Sequence, residues 1–179
     1  MNPVSTRQNA GARPAAVAGT FYPGEAGELS RQIVEFLEHT SHGALAPGFP
    51  KALIVPHAGY VYSGAVAASA YDLLRPARGV IKKVVLLGPC HRVPVRGLAL
   101  PGAAAFDTPL GRIAVDQAGV ASIRGLPQVV ESAAAHANEH AIEVQLPFLQ
   151  VVLGEFSLVP LVVGQAAPGQ VAEVIERLW

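Results

Sequence analysis

The sequence has little of the residue types that stabilise small secreted domains. Its 179 residues include one cysteine, one methionine and one tryptophan. A single cysteine, Cys90, cannot form an internal disulfide, which excludes disulfide-stapled folds and favours a reducing, cytoplasmic setting. Charged residues make up only 15% of the chain, and 13 basic residues balance 13 acidic ones. This balance gives no electrostatic footprint for nucleic acid or an anionic membrane.

Long apolar runs and nucleotide-binding fingerprints are also missing. No apolar stretch reaches the roughly 18 residues needed to cross a bilayer. The opening MNPVSTRQNAGARP lacks the apolar core of a signal peptide. Neither G-x-G-x-x-G nor G-x-x-x-x-G-K occurs. We therefore expect a cytoplasmic protein with neither a membrane nor a nucleic-acid partner.

Apolar residues are plentiful, at 51% of the chain, and they fall into short runs. Three of these runs predict buried strands, at 52–56, 82–88 and 156–163. Residues 25–39 and 168–179 show the spacing of amphipathic helices. Such an alternation of strands and helices predicts an α/β domain.

The remaining segments carry weaker signals. We predict a helix from Gly64 to Leu74 capped by Ser63, and a strand over 112–116 followed by a helix that Asp116 caps. Residues 95–99 resemble a short strand, residues 103–110 a loop and residues 131–137 a small polar segment. A further helix is expected over 138–149, kinked by Pro147. Residues 1–13 are interpreted as a frayed tail, and residues 14–179 as one domain.

Two histidines follow predicted strands at the point where each strand ends. His57 comes directly after the strand at 52–56, and His91 comes shortly after the strand at 82–88. Strands joined by a helix run parallel, and their carboxyl ends then meet at one edge of the sheet. Because ligands bind at that edge in open α/β sheets, we expect both histidines to face one crevice.

A second cluster of polar residues lies later in the chain. Glu139 and Glu143 are four residues apart, which would place them on one helix face with His140 beside it. His136 to His140 also fits the H-x-x-E-H pattern of inverted zinc proteases. The residues before Glu139 resemble a loop, which disfavours that pattern, and His136 is then interpreted as exposed.

Three more residues lie close to the two histidines in sequence. Cys90 precedes His91, but adjacent residues of an extended loop point to different sides, so we interpret Cys90 as a small loop residue. Tyr60 and Tyr62 flank the turn after His57. One of them can line a pocket while the other packs, and the sequence does not decide which.

Four blocks occur together in one order, and jointly they resemble the Memo family, called AmmeMemoRadiSam system protein B in prokaryotes. They are Ala18 to Pro23, Val55 to Gly64, Leu87 to His91 and Glu139 to Pro147. The resemblance implies a three-layer α/β/α sandwich with a largely parallel or mixed central sheet. It also implies a relation to the class III extradiol dioxygenases, which are non-haem iron enzymes.

The resemblance further implies roles for particular residues. His57 and His91 stand where the family places metal-binding histidines, so iron or another divalent transition metal is the expected cofactor. His140 and Glu139 would join the same pocket, and both are the candidates for catalytic residues. Either Glu139 or Glu143 could accept a hydrogen bond from a metal-bound imidazole, or His140 could act as a general base. Tyr60 and Tyr62 are the candidates for substrate binding.

The family pattern continues beyond Trp179, into a strand with an Asp-Leu-Ser-His motif and then a cysteine regarded as the third metal ligand. Cys90 does not occupy that cysteine's position. We therefore expect the chain to lack a C-terminal part of the fold and its metal site to be incomplete. Two imidazoles alone hold a metal weakly, whereas a facial non-haem iron site needs three protein ligands.

Two functions follow as hypotheses. The first is a metal-dependent, dioxygenase-like redox enzyme that uses iron. The second is a non-catalytic protein that binds a small molecule or peptide, or that serves as an accessory in a radical-SAM-linked pathway. The family name links it there to radical SAM and AMMECR1-type proteins. Whether the chain is an enzyme is left open by the sequence.

Overall fold

A computed structural model describes residues 11–40 and 48–179. Seven strands form one sheet: β1 (Ala12–Arg13), β2 (Lys83–Pro89), β3 (Leu98–Leu100), β4 (Ala105–Thr108), β5 (Gly111–Val115), β6 (Val129–Glu131) and β7 (Ser157–Val163). The α-helices are α1 (Ala26–Glu38), α2 (Tyr60–Tyr71), α3 (Gln117–Ile123), α4 (Ala133–Ala137), α5 (Leu146–Leu153) and α6 (Pro168–Leu178). Two 3₁₀ segments, Asp72–Ala77 and Glu143–Gln145, complete the described elements.

Strand β7 is the centre of the sheet. On one side it pairs in parallel with all of β2, from Lys83 opposite Ser157 to Pro89 opposite Val163. On its other side it pairs in parallel with β5 near its start and antiparallel with β3 near its end. The outer pairs are β4 with β5, β1 with β4 and β3 with β6. The sheet is therefore mixed.

Helices cover both faces of this sheet. Side chains of α3 and α6 pack with the sheet in one apolar core, and side chains of α1, α2 and α5 form a second core. Val84 and Leu86, which lie on the same face of β2, contact both cores. The expected three-layer α/β/α arrangement is confirmed.

Elements with strong periodicity form where the sequence predicts them. Helix α1 buries Leu29, Ile33 and Leu37, which are spaced four apart and line one face. The side chain of Asp116 accepts hydrogen bonds from the backbone N–H groups of Ala118 and Gly119 and so caps α3. The predicted strands at 82–88 and 156–163 are β2 and β7, and each predicted strand end lies within one residue of the observed end.

The predicted strand at 52–56 is wrong. These residues are extended but pair with no strand in the described part of the chain. Leu53 and Val55 pack partly against the second core, whereas Ile54 is 101% exposed. The apolar pattern of a strand is present, but a strand also needs a neighbour to receive its backbone hydrogen bonds. The βαβ unit inferred from it therefore does not form.

Helix α2 begins four residues earlier than predicted. Gly59 is its N-terminal flanking residue, and a Cβ there would lie 3.3 Å from the carbonyl oxygen of Phe21. That close approach explains the glycine and fixes the helix start against the loop before α1. Ser63 lies inside the helix and donates to the carbonyl of Ala58 instead of capping.

Several weaker predictions are corrected. The loop expected at 103–110 contains β4, whose pairing with β5 overrides its turn-rich sequence. The polar segment at 131–137 contains the end of β6 and all of α4, and the strand near 95–99 is β3, Leu98–Leu100. No helix begins at 138. Pro147 lies in the first turn of α5, where its missing N–H is tolerated, so it starts a helix instead of kinking one.

The N-terminal boundary also changes. Residues 1–10 of the expected tail lie outside the described residues, whereas Arg13 is buried in β1. The loop after it packs on the domain through Val17 and Tyr22. Within the described part of the chain, no helix is both long and apolar enough to cross a membrane.

Candidate metal centre

Three histidines from distant parts of the sequence meet at one point. His57 lies in the loop before α2, His91 in the loop after β2, and His140 in the turn between α4 and the segment Glu143–Gln145. Their ring centroids are 5.2 Å apart for His57 and His91, 5.9 Å for His57 and His140, and 4.6 Å for His91 and His140. The convergence expected for His57 and His91 is present, although no βαβ unit produces it.

This three-histidine cluster fits a transition metal. One ring nitrogen from each residue lies within 4.8 Å of the others. An ion that binds imidazole nitrogens at about 2.1 Å needs each pair within about 4.2 Å, so small side-chain movements suffice. Imidazole donors suit zinc, copper, iron and nickel. His140 thus stands where a third ligand would be needed.

Glu139 fixes the orientation of the His91 ring and lies close to the His140 ring. Its carboxylate is 1% exposed and lies 2.9 Å from His91 Nδ1 and 3.3 Å from His140 Nδ1. Since a carboxylate only accepts, His91 carries its proton on Nδ1 and keeps the Nε2 lone pair free. The backbone N–H groups of His91, His140 and Ala141 also donate to this carboxylate.

These contacts determine the charge of the site. Burial opposes ionisation of Glu139, but the hydrogen bonds from the Ala141 N–H and from His91 outweigh it and hold its pKa below the ordinary value. Burial lowers the pKa of His140, and the nearby His91, His57 and Arg92 add to that effect against the pull of Glu139. His140 is therefore neutral at neutral pH, with a lone pair available to a metal.

The catalytic role expected of Glu139 stays a prediction. Its carboxylate accepts from His91 Nδ1 and from three backbone N–H groups, contacts that orient the His91 ring and hold the turn carrying His140.

Two contacts hold the loop that carries His57. Gln145 donates from Nε2 to the carbonyl of Pro56 at 3.0 Å and accepts from the hydroxyl of Tyr71 at 2.7 Å. The backbone N–H of Tyr60 donates to the carbonyl of Phe21 at 2.7 Å. Because Gln145 follows His140 closely in sequence, one segment of chain positions two of the three histidines.

Gly88, near the end of β2, allows His91 and His140 to approach each other. A Cβ at this position would lie 3.0 Å from the Cβ of Ala141 and 3.1 Å from Cδ1 of Ile142. Any larger residue would push the turn that carries His140 away from the end of β2.

A buried ion pair anchors the same turn from behind. Arg13 Nη1 lies 2.5 Å from the carboxylate of Glu143, and both side chains are buried. Arg13 also donates to the carbonyls of His136 and Glu139. The carboxylate of Glu143 further accepts from the hydroxyl of Tyr22. Burial and this hydrogen bond hold the pKa of Tyr22 far above its ordinary value, so the hydroxyl remains a donor.

An open cleft of about 550 Å³ adjoins the cluster. His57 and His140 form part of its wall, and the other lining residues are mostly apolar, among them Phe21, Val61 and Tyr62. Tyr62 is 84% exposed and belongs to this wall, so its substrate-binding role stays a prediction. Tyr60 is buried in the second core and donates its hydroxyl to the carbonyl of Val144, which leaves it no access to the cleft.

Two other residues are separate from the cluster. Cys90 donates from Sγ to the carbonyl of Val93 at 2.7 Å, consistent with a structural role in its loop. The interpretation of His136 as exposed is wrong: the ring is buried, and Nε2 donates to the carbonyl of Ala99 at 2.8 Å. His136 and His140 therefore do not form the zinc site of an H-x-x-E-H motif.

Sequence reasoning missed Gln145 and Arg13 as supporting residues. Gln145 lies within the block from Glu139 to Pro147, but a glutamine gives no signal of which loop it will contact. Arg13 falls in the predicted tail, and only its partner Glu143 has a spacing signal in the sequence.

The family model of the Memo-like protein matches residues 13–178. The chain belongs to the Memo-like family. A MEMO1 family protein of Ignicoccus hospitalis is 40% identical over 165 residues, covering 87% of this chain and 58% of the relative. One of Thermotoga maritima is 36% identical over 176 residues, covering 93% of this chain and 63% of the relative. One of Methanopyrus kandleri is 40% identical over 161 residues, covering 83% of this chain and 55% of the relative.

These comparisons also define the extent of the match. The Memo-like chain spans only 55% to 63% of the length of these three curated relatives. The matched region nevertheless includes all three histidines and Glu139.

Proposed function

We propose that this Memo-like chain forms a three-histidine metal centre that supports iron-dependent, dioxygenase-like redox chemistry. The observation that carries the proposal is the convergence of His57, His91 and His140, with ring nitrogens within 4.8 Å of one another. In this proposal His140 is the third ligand, and the general-base role expected from sequence becomes secondary.

The residues of the site meet the requirements of such a centre. Iron held by three protein nitrogens keeps open coordination positions and supplies Lewis-acid and one-electron chemistry. Glu139 accepts from Nδ1 of His91, which leaves the Nε2 lone pair of that ring free for a metal, and it also accepts from the backbone N–H of His140. Phe21 and Tyr62 line an apolar wall beside it, which favours a substrate with an aromatic or aliphatic body.

Metal analysis of matched variants tests the proposal. We expect near-stoichiometric iron in anaerobically purified protein and almost none in a His57→Ala/His91→Ala double variant. His140→Ala should retain well under half of the wild-type content, because the third nitrogen is lost. His39→Ala, which removes an exposed histidine outside the cluster, is the matched control.

The outcomes separate ligation from general-base catalysis. Full iron content in His140→Ala, with loss of activity alone, would show that His140 moves protons and is not a ligand. Equal metal in all variants, or none in any, would reject the centre. Oxygen uptake with catechol-like substrates then tests the dioxygenase-like reaction.

The cleft supports a second candidate, binding of a small molecule or peptide without chemistry. Its apolar lining and open mouth suit such a ligand. In that case ligand affinity should survive chelation. Association with radical SAM and AMMECR1-type proteins stays a prediction from the family resemblance.

A further inference from the structure

A second cavity, of about 540 Å³, lies at the carboxyl ends of the parallel strands β2 and β7. The loop after β2 contributes Cys90 and the residues from Val93 to Arg96 to its wall, and the loop after β7 contributes Gly164 and Gln165. It shares no lining residue with the cleft beside the three histidines. Because ligands of open α/β sheets bind at this edge, the cavity is a candidate for a second binding site.

Backbone hydrogen bonds hold the two loops of this cavity together. The N–H of Gln165 donates to the carbonyl of Val95 at 2.7 Å, and the N–H of Gly97 donates to the carbonyl of Gln165 at 2.8 Å. At the start of the first loop, the N–H of Cys90 donates to the carbonyl of Val163 at 2.9 Å. These bonds fix the separation of the walls in the free protein, so a ligand orders little of the chain when it binds.

Two polar side chains stand next to each other in the cavity. Arg96 and Gln165 form an isolated parallel bridge, and residues paired in this way project to the same side. Both residues are exposed, and both line the cavity. Neither side chain forms a hydrogen bond or an ion pair with any residue that the structure describes. A guanidinium group and a carboxamide therefore face the cavity together, with their donors open to an external group.

The charge of the cavity favours a carboxylate. Arg96 is the only charged residue among those that line it. The planar guanidinium matches the two oxygens of a carboxylate, and the amide of Gln165 can donate a further hydrogen bond. One positive charge balances one carboxylate, whereas a phosphate group carries close to two negative charges at neutral pH. The rest of the wall includes Val93, Pro94 and Val163, which suit a short hydrocarbon body.

We propose that this cavity binds a small organic acid, with the carboxylate on Arg96 and Gln165 and the apolar part against the valine and proline wall. The site needs no metal and is separate from the three-histidine cluster. Cys90 lines the cavity and the next residue, His91, belongs to the cluster, so one loop contributes to both sites.

A titration with pentanoate tests the proposal. The chain is used free of metal, so that the carboxylate cannot bind an ion at the histidines, and backbone amide signals are followed by NMR. We expect saturable shifts at Gly97 and Gln165. Pentanamide has the same size without the charge, so it should bind at least about tenfold more weakly. Pentanoate shifts that are confined to Ala58 and Gly59, beside the histidine cleft, would contradict the proposal.

Matched variants identify the groups that hold the carboxylate. Arg96→Gln should weaken pentanoate binding by at least about tenfold. Gln165→Leu should weaken it by at least about threefold, because one hydrogen bond to a charged group is lost. Both residues are exposed, so folding should be unaffected. Arg31→Gln removes the same charge from an exposed position in α1, outside the cavity, and should bind like wild type.

The thiol of Cys90 supplies a readout that needs no variant. It is the only cysteine in the chain, and it lines the cavity. Iodoacetate carries a carboxylate, whereas iodoacetamide is neutral and of similar size. The ratio of their alkylation rates should be at least about threefold higher in the folded chain than in the urea-unfolded chain, because Arg96 attracts the anion. Pentanoate should slow the alkylation of Cys90 in the folded chain, and pentanamide should not.

Three results would overturn the proposal. The first is equal affinity for pentanoate and pentanamide, or no shift at Gly97 and Gln165. The second is equal affinity for pentanoate in Arg96→Gln and Arg31→Gln, which would place recognition of the charge elsewhere. The third is tighter binding of inorganic phosphate than of pentanoate at the same amides, which would identify a phosphate site. Because every measurement uses metal-free protein, failure here is independent of the metal proposal.

Discussion

A single buried carboxylate determines which nitrogen of His91 faces the candidate metal centre. Without an acceptor at Nδ1, an imidazole can present either nitrogen and can rotate about its side-chain bonds. Glu139 removes that freedom for His91 and also accepts from the backbone N–H of His140. At the scale of the residue, the site therefore depends as much on this acceptor as on the ligands.

The substitution Glu139→Gln tests this dependence. An amide keeps the size and one acceptor oxygen but loses the charge that favours a ligating imidazole. Metal affinity should fall by about 10- to 100-fold, the usual effect of losing such a partner. A titration with Co²⁺, followed by its visible absorption, measures the change. Glu131→Gln, at an exposed carboxylate paired with Arg124, should leave affinity unchanged. Equal affinities for the two variants would contradict the assignment.

The buried pair of Arg13 and Glu143 is a second residue-scale feature. Removal of one partner leaves a charge in a place that water does not reach, so Arg13→Met should lower the free energy of unfolding by about 3–5 kcal/mol. Urea unfolding measures this value. Arg112→Met, which breaks the solvent-exposed pair with Asp107, is the matched control and should have a much smaller effect. A similar decrease in the free energy of unfolding in both variants would show that the buried pair contributes no more than the exposed pair.

At the scale of the element, His136 connects α4 to β3. Its Nε2–H donates to the carbonyl of Ala99, and its ring packs edge-on against Phe106. Burial lowers the pKa of His136 to about 4, from an ordinary 6.5, and the charge of Arg13 adds to the effect. The folded protein thus holds this ring neutral over a pH range in which the unfolded chain protonates it.

This difference predicts a pH dependence of stability. Between pH 6.5 and 4 the unfolded state binds the proton and the folded state does not, so stability falls as pH decreases through that range. The full loss from His136 is roughly 3 kcal/mol, at 1.36 kcal/mol per unit. Urea unfolding at pH 7.5 and pH 4.5 measures the slope. His136→Gln, which can still donate to Ala99, should have a shallower slope. If wild type and His136→Gln have identical slopes, the pH dependence of stability arises from other groups, for example the three clustered histidines.

At the scale of the whole molecule, the three-histidine cluster joins three regions of the chain. His57 belongs to the layer of α2, His91 to the end of the sheet, and His140 to the turn held by Arg13 and Glu143. Since the unfolded chain does not bring these groups together, metal binding should favour the folded state by mass action.

Calorimetry under anaerobic conditions tests this linkage. With free Fe²⁺ at 100 times its Kd, the folded state should gain about 2.7 kcal/mol, which raises Tm by roughly 5–10 °C for a chain of this length. The same Fe²⁺ should leave the Tm of His57→Ala unchanged. His39→Ala should respond like wild type. A Tm shift that persists in His57→Ala would mean that the ion binds at another place.

Parts of the fold could be predicted because their signal is local. The apolar spacing of α1, the runs of β2 and β7 and the cap at Asp116 each depend on neighbours in sequence. Periodicity and hydrogen-bonding chemistry are sufficient for these. The positions of His57 and His91 after strand-like segments likewise predict that the two rings lie close together, and the structure places their centroids 5.2 Å apart.

Other features depend on partners distant in sequence, and only the tertiary structure decided them. The run at 52–56 has the composition of a strand, yet pairing requires a neighbour that the sequence cannot show. Which of Tyr60 and Tyr62 faces the cleft depends on the residue at which α2 begins. That start depends on the close approach of Gly59 to the carbonyl of Phe21. His140 becomes a candidate ligand because Glu139, Gly88 and Arg13 place its turn. The sequence therefore determined which metal-binding and hydrogen-bonding side chains are available. Long-range packing determined which of them lie together in one site.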